Sequence, residues 1–342
     1  MGDLKPTIIG LTICFGLLSI IAVLLRFNAR KITKAPFGAD DYLAFSAMLC
    51  TLFLCVDVLI AVYDGNLGGH LRIDPTTGEP IQSNSYLVFS KCLWVAQFLS
   101  VPAAGFNKLS VLFLYRRIFI GKVFSAITIC MIVIVSIWNV SFFLANLLDC
   151  IPINLNWRPA VGTSGFCINI LTMFWAILIS DILTDAIILT LPWYQIWKLK
   201  MSTARKLQIS AIFLLGGLVV GAGIVRCILS VGGVASQNSD FDYTYSRSPA
   251  VYWTIIHSGA GVISSCLPTF RPLITHYRID KSAYALRSYW TKSTMFSGRK
   301  SMPTSDSHSG QTGSQSELVE MKGVGAGQGG MHQENYRDYN AV

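Results

Sequence analysis

Residues 7–27 read TIIGLTICFGLLSIIAVLLRF, with no charge before Arg26. A hydrocarbon core of ~30 Å is crossed by about 20 helical residues, and this stretch has that length. Lipid offers a backbone no hydrogen-bond partner, so an apolar run of this kind is helical. Six further stretches share the reading: roughly 42–63, 93–114, 123–147, 170–194, 208–235 and 250–274. No sequence period relates them as repeats. The sequence therefore predicts an all-α fold, a bundle of seven transmembrane helices over residues 1–275.

Composition points the same way. Charged residues are 13% of the 342, against roughly 25% in an average soluble domain. Hydrophobic residues reach 52% and the mean hydropathy is +0.51. So few charges cannot cover a water-exposed globule. A two-domain cytosolic enzyme, a disordered chain and a secreted disulfide scaffold are excluded.

The net charge of +9 is distributed by topology. Arg26, Arg30, Lys31 and Lys34 lie at the end of the first span and in the connection after it; Arg116, Arg117 and Lys122 follow the third; Lys198, Lys200, Arg205 and Lys206 follow the fifth. Nine more Lys and Arg lie between Arg271 and Arg337, making 20 on one side. The other side has four: Lys5, Arg72, Arg158 and Arg247. Cytoplasmic loops are enriched in Lys and Arg, so the N-terminus is expected outside and the C-terminus in the cytosol. Nucleic-acid binding is not needed to explain the charge. The first run is long enough to be retained as a span rather than cleaved as a signal peptide. Asn340, Ala341 and Val342 form no prenylation box. The plasma membrane and an endomembrane both fit.

Beyond the last span, residues 276–296 interleave basic residues with Tyr277, Tyr284, Tyr289 and Trp290, which suits an interfacial segment on an anionic leaflet. Residues 297–342 open in a stretch rich in Ser, Thr, Gly and Gln and read as a disordered cytosolic tail. Six of the nine cysteines lie inside spans as small apolar fillers. Cys150 and Cys167 bracket the second outer loop, and Cys92 lies near the outer end of the third span. Cys150 with Cys167 is the first choice of disulfide, and Cys92 with one of them the second.

Ionisable groups inside a membrane are costly and face the bundle interior or a wet cavity. The candidates are Asp57, Lys108, Asp181, Asp185, Arg226 and His257. Counted from the helix ends, Lys108 and Asp185 lie at matching depth, with Asp181 one turn away on the same face. The natural pairing is Lys108 with Asp185, Asp181 lying above it. Asp57 and Arg226 both fall in the outer half and are expected to pair likewise. Such groups fix helix register, act as a switch or ligand counter-ion, or conduct protons. Gly217 and Gly221 in the sixth span form a small-xxx-small pair, as do several of Ser258, Gly259, Gly261, Ser264 and Ser265 in the seventh, and this spacing predicts close helix packing. Asp40 and Asp41 start the second span and read as favourable anions at a helix N-terminus.

Several chemistries fail on residue count. Retinal needs a lysine in the last span, and none is there. A membrane zinc hydrolase needs several embedded histidines, and only His257 qualifies. Asp181 and Asp185 form a single DxxxD, without the second Asp-rich motif a prenyltransferase would carry. No catalytic residue, metal or cofactor is expected.

The segments GADDYL (Gly38 to Leu43), NKLSVLFLYRRIF (Asn107 to Phe119), CIPINLNW (Cys150 to Trp157) followed by Cys167, DILTDAIILTLPWYQIWKLKMSTARK (Asp181 to Lys206) and LPTFRPL (Leu267 to Leu273) resemble the fungal rhodopsin-like integral membrane proteins. This family is also called the satratoxin-cluster family and includes PTH-type receptor-like proteins. The resemblance implies a fungal source and a seven-helix bundle, and several members are encoded in secondary-metabolite gene clusters. The leading expectation is a receptor-like, non-enzymatic sensor or signalling protein in the lipid bilayer. A small-molecule ligand would enter between the outer halves, near Asp57, Arg226 and His257, and the inner loops would contact a cytosolic signalling partner. The alternative is a membrane component of a biosynthetic cluster: tailoring enzyme, metabolite transporter or scaffold.

Overall fold

The computed structural model describes residues 3–70, 84–119, 121–157, 165–198, 203–235 and 243–270. The interfacial segment expected at 276–296 and the tail at 297–342 lie outside the described residues. Seven helices run in order: α1 (Lys5–Ile32), α2 (Ala39–Tyr63), α3 (Asn84–Ile118), α4 (Lys122–Leu147), α5 (Ile170–Lys198), α6 (Thr203–Ala235) and α7 (Tyr243–Cys266). Among the described residues six are long and apolar enough to cross a membrane, and α6 carries the apolar segment Leu214–Ser230.

α1 packs on α2, α2 on α3, α3 on α4, α5 on α6 and α6 on α7; α7 closes the bundle against α1 and α2, and α3 also touches α5 and α7. α3 therefore reaches across the interior, so whatever it carries meets several helices at once.

The helices are amphipathic in the sense that suits lipid. α1 buries Thr12, Gly16, Ser19, Ala22, Val23 and Arg26 while exposing Leu17, Leu18, Ile21, Leu24 and Leu25. Buried hydroxyls are satisfied on their own helices: Thr12 donates to the Ile8 carbonyl, Thr51 to Ala47 and Thr128 to Phe124. Hydrocarbon supplies no water, so these internal bonds let hydroxyls sit at the packed face.

Between α4 and α5 two short antiparallel strands, β1 (Cys150–Ile151) and β2 (Phe166–Cys167), form a small hairpin. The Cys150–Cys167 disulfide closes it. Cys92 is a buried free thiol, so the first choice of pairing is the one formed. The bundle end bearing the hairpin is called the hairpin end below.

The expected close packing at Gly217 and Gly221 is not found. Among the described residues, a Cβ at either would meet no atom within 4 Å. The close packing expected of the small residues in the seventh span is found: a Cβ on Gly261 would come within 2.8 Å of Asn107 and one on Gly259 within 2.8 Å of Phe15. A further tight approach is at Gly105, where a Cβ would come within 2.4 Å of the Asn139 amide. The Gly217–Gly221 spacing is real, but it falls on a face of α6 that meets no packed neighbour among the described residues.

Candidate functional site: an ion network between two cavities

Four helices bring their charges to one place. Lys108 of α3 places its Nζ 2.6 Å from Asp181 Oδ1 and 3.2 Å from Asp185 Oδ1 on α5. The same ammonium donates to the Asp181 carbonyl and the Thr184 hydroxyl, so all three of its protons have acceptors within reach. The Trp138 ring of α4 lies 5.0 Å from it, and the indole is oriented by a 2.7 Å bond to the Ser180 hydroxyl. Arg226 of α6 approaches Asp181 Oδ2 at 3.8 Å and donates to Ser100. His257 of α7 places Nε2 3.4 Å from Asp185 Oδ2 and 3.9 Å from Asp181 Oδ2.

The expected partner order is thus reversed, with Asp181 nearer to Lys108 than Asp185 is. Side chains tilt toward the N-terminus of their own helix, and that tilt carries the ammonium toward the carboxylate nearer the hairpin end. The expected Asp57–Arg226 pairing is not formed. Asp57 contacts the Cys92 thiol beside the apolar cluster of Ile8, Val58, Phe89 and Ile255, while Arg226 turns to Asp181. Equal depth does not fix rotation about the helix axis, and rotation decides the partner.

Two cavities meet at this network. The larger, about 230 Å³, lies toward the hairpin. Arg226 and Ser100 border it beside Arg247, Asp149 and Asn156, with Leu54, Leu93, Phe174 and Val251 as apolar wall. Trp94 stacks on Phe98 and meets Trp157 of the hairpin loop edge-on. Asn156 donates to the Asp149 carboxylate at 2.7 Å, and burial pushes that carboxyl above its ordinary value against this bond. The smaller cavity, about 70 Å³, is bordered by Lys108, Asp185, His257, Asn107 and Ser258. Asp57 borders neither among the described residues.

Asp181, Asp185 and His257 each bring a ligand-type atom within 4.8 Å of the others. Lys108 and Arg226 already supply two positive charges to those two carboxylates, so the set is electrically complete and a divalent ion would leave it strongly positive. The arrangement is suited to holding or exchanging a single charge, not to metal chemistry.

A second ionic cluster closes the opposite end. Arg26, 0% exposed, bonds Asp41 through Nε at 2.7 Å, Asp40 through Nη2 at 2.6 Å and the Ser265 carbonyl through Nη1 at 2.7 Å. Arg30 pairs with both carboxylates, and Arg117 lies 3.6 Å from Asp40. Ser110 donates to the Asp40 backbone carbonyl. One guanidinium fork thus ties α1, α2 and α7, with α3 held through Arg117 and Ser110. Sequence reading treated these groups as loop charges and helix-capping anions. The signal that could have found them was present: Arg26 and Arg30 stand one helical turn apart, opposite adjacent aspartates.

Residues 25–276 match the family model described as the fungal rhodopsin domain. Among relatives, the Polyenoic acids biosynthesis gene cluster protein Ba17b of Metarhizium anisopliae is 28% identical, over 76% of this chain and 71% of its own length. The Phomoidride biosynthesis cluster protein H of a Fungal sp. is 27% identical, over 80% of this chain and 90% of its own. A SAT4 family membrane protein of Emericella nidulans is 30% identical, over 72% of this chain and 57% of its own. Matched along most of its helical region, and with seven helices around a shared ionic interior, this chain belongs to the fungal rhodopsin domain family.

Proposed function

We propose that this protein is a receptor-like membrane protein that binds a small carboxylate-bearing amphiphile in the hairpin-end cavity. The observation that carries the reading is Arg226, which borders that cavity and also contacts the ion network. A guanidinium away from bulk water recognises a carboxylate through paired N–H donors. Arg247 adds positive charge to the cavity wall, and Leu54, Leu93 and Val251 offer an apolar surface for a short tail. The volume lies just below the ~300–1,000 Å³ of drug-sized ligand pockets, which favours a small molecule. The name of the Metarhizium anisopliae relative refers to polyenoic acids, a class with this chemistry.

In this reading the hairpin end faces outward, supported by the Lys and Arg distribution and by a disulfide, which persists in oxidising compartments. Residues 1–275 form the membrane domain, 276–296 lie on the cytoplasmic leaflet and 297–342 form a cytosolic tail. Ligand at Arg226 competes for the guanidinium now shared with Asp181, and the helices bearing Lys108, Asp185 and His257 re-pair. A cytosolic partner reads that change at the Arg26–Asp40–Asp41 end.

The names of two relatives, drawn from biosynthetic clusters, favour a second reading, in which the bound acid is carried or processed for a pathway. The test of binding is calorimetry on the full chain in nanodiscs, with hexanoate against hexanol. Saturable binding of hexanoate, absent for hexanol and lost in Arg226→Gln, is expected; equal binding of both, or unchanged binding in Arg226→Gln, removes the reading. In the fungus, the same variant altering transcription favours sensing. Finished product retained in the cell favours transport, and a discrete precursor favours tailoring.

A further inference from the structure

The two cavities and the network between them form one continuous polar line. It runs from the hairpin-end cavity through Arg226 to Asp181 at 3.8 Å, Lys108 at 2.6 Å, Asp185 at 3.2 Å and His257 at 3.4 Å. His257 is 3% exposed. Among the described residues its Nδ1 has no hydrogen-bond partner, and neither do Asn107 Oδ1 and Ser258 Oγ. All three residues border the smaller cavity, whose ~70 Å³ exceeds the roughly 10–15 Å³ one water needs. Unsatisfied buried polar atoms around a space of that size mark a hydrated pocket, from which a proton can reach the imidazole.

The charge count then constrains what binds. With His257 neutral, Lys108 and Arg226 balance Asp181 and Asp185, and on the wall of the larger cavity the formal charge of Arg247 balances that of Asp149. The other elements against His257 add no charge among their described contacts: α6 also brings Gly223 to the ring, Trp138 of α4 lies over Lys108, and Asp57 of α2 contacts Cys92. An anion arriving at Arg226 alone leaves the buried set at minus one, and a proton arriving at His257 alone leaves it at plus one. Either imbalance is costly in a low-dielectric interior, and the two together cancel.

We infer that the network takes up one proton at His257 for each carboxylate bound at Arg226, so the ligand enters as an anion–proton pair across the Asp181–Lys108–Asp185 bridge. The proton comes from water in the smaller cavity and forms an N–H bond on the imidazole; nothing is oxidised or reduced. This rests on the anion-binding reading above, and linkage makes the coupling reciprocal: the proton tightens the anion as much as the anion tightens the proton.

The test measures hexanoate affinity of the full chain in nanodiscs at pH 6, 7 and 8, with proton uptake followed by an indicator dye in weak buffer. Wild type is expected to bind more weakly as pH rises, approaching about tenfold per unit, with close to one proton taken up per hexanoate. His257→Gln keeps the balanced charge and is expected to bind at every pH as wild type does at pH 8. Asp185→Asn carries the extra positive charge without a proton and is expected to bind at every pH as wild type does at pH 6. Arg226-dependent binding that ignores pH in wild type overturns the coupling and leaves the anion site standing. A pH slope retained in His257→Gln assigns the proton to the ligand itself and also overturns it. No saturable binding at any pH removes the anion site and the coupling together. Because proton uptake is read on wild type, the result does not depend on either variant folding.

Discussion

Replacing Arg26 by leucine tests the ionic cluster opposite the hairpin in the most quantitative way. The side chain is completely buried and bonds two carboxylates and the Ser265 carbonyl. Removing one partner of a buried ion pair costs about 3–5 kcal/mol, because the remaining charge is left uncompensated. Arg30 still reaches both aspartates, which places the expected loss at the lower end, about 3 kcal/mol. At ~2–4 °C per kcal/mol, the melting midpoint should fall by about 6–12 °C. The buried thiols Cys55, Cys92, Cys227 and Cys266 provide the assay, through thermal exposure to a thiol-reactive fluorophore in detergent. Adding Asp41→Asn to Arg26→Leu removes the orphaned charge and should recover part of the loss. Arg26→Lys should fall between, since an ammonium lacks the planar fork that spans all three acceptors. A midpoint within about 1 °C of wild type in Arg26→Leu would refute the reasoning.

Three further outcomes follow from packing, titration and topology. Gly105→Leu should lose about 1–3 kcal/mol by overpacking against Asn139, while Gly217→Leu, with no neighbour within 4 Å, should stay within about 0.5 kcal/mol of wild type; thermal melts of the two read the contrast. Asp149, whose carboxyl burial pushes upward, binds its proton more tightly folded than unfolded, so its contribution is largest below the ordinary value near ~3.9 and declines as pH rises through the folded value. Asp149→Asn should therefore flatten the fall of melting midpoint above about pH 4; an unchanged slope would count against that assignment. Epitopes on the two ends of the chain should be reached on opposite faces of the membrane, the amino-terminal one in intact protoplasts and the carboxy-terminal one only after permeabilisation. Staining of both under one condition would reverse the orientation.

The seven helices were legible because lipid reduces the problem to length and polarity. Their ends were less so. α3 begins at Asn84 and α7 at Tyr243, well before the apolar runs at 93 and 250, because helical hydrogen bonding continues past the hydrocarbon. The disulfide followed from two cysteines flanking one loop. The meeting of Lys108 with Asp181 and Asp185 followed from depth along two helices running the same way. What depth could not supply was rotation, and there the reading failed: Arg226 turns to Asp181 rather than Asp57, and Gly217 and Gly221 face no packed helix. Arg26 was hidden for another reason. A basic residue at the end of a span looks alike whether it reaches water or folds back onto Asp40 and Asp41, and only the packing of four helix ends separates the two.

The most direct measurement is a structure of the full chain in nanodiscs, determined by electron cryomicroscopy at saturating 6-bromohexanoate. The expected map places the carboxylate within hydrogen-bonding distance of the Arg226 guanidinium, with the bromine among Leu54, Leu93 and Val251. A cavity without added density at saturation, or bromine density confined to the lipid-facing surface, would contradict the binding site proposed for this protein.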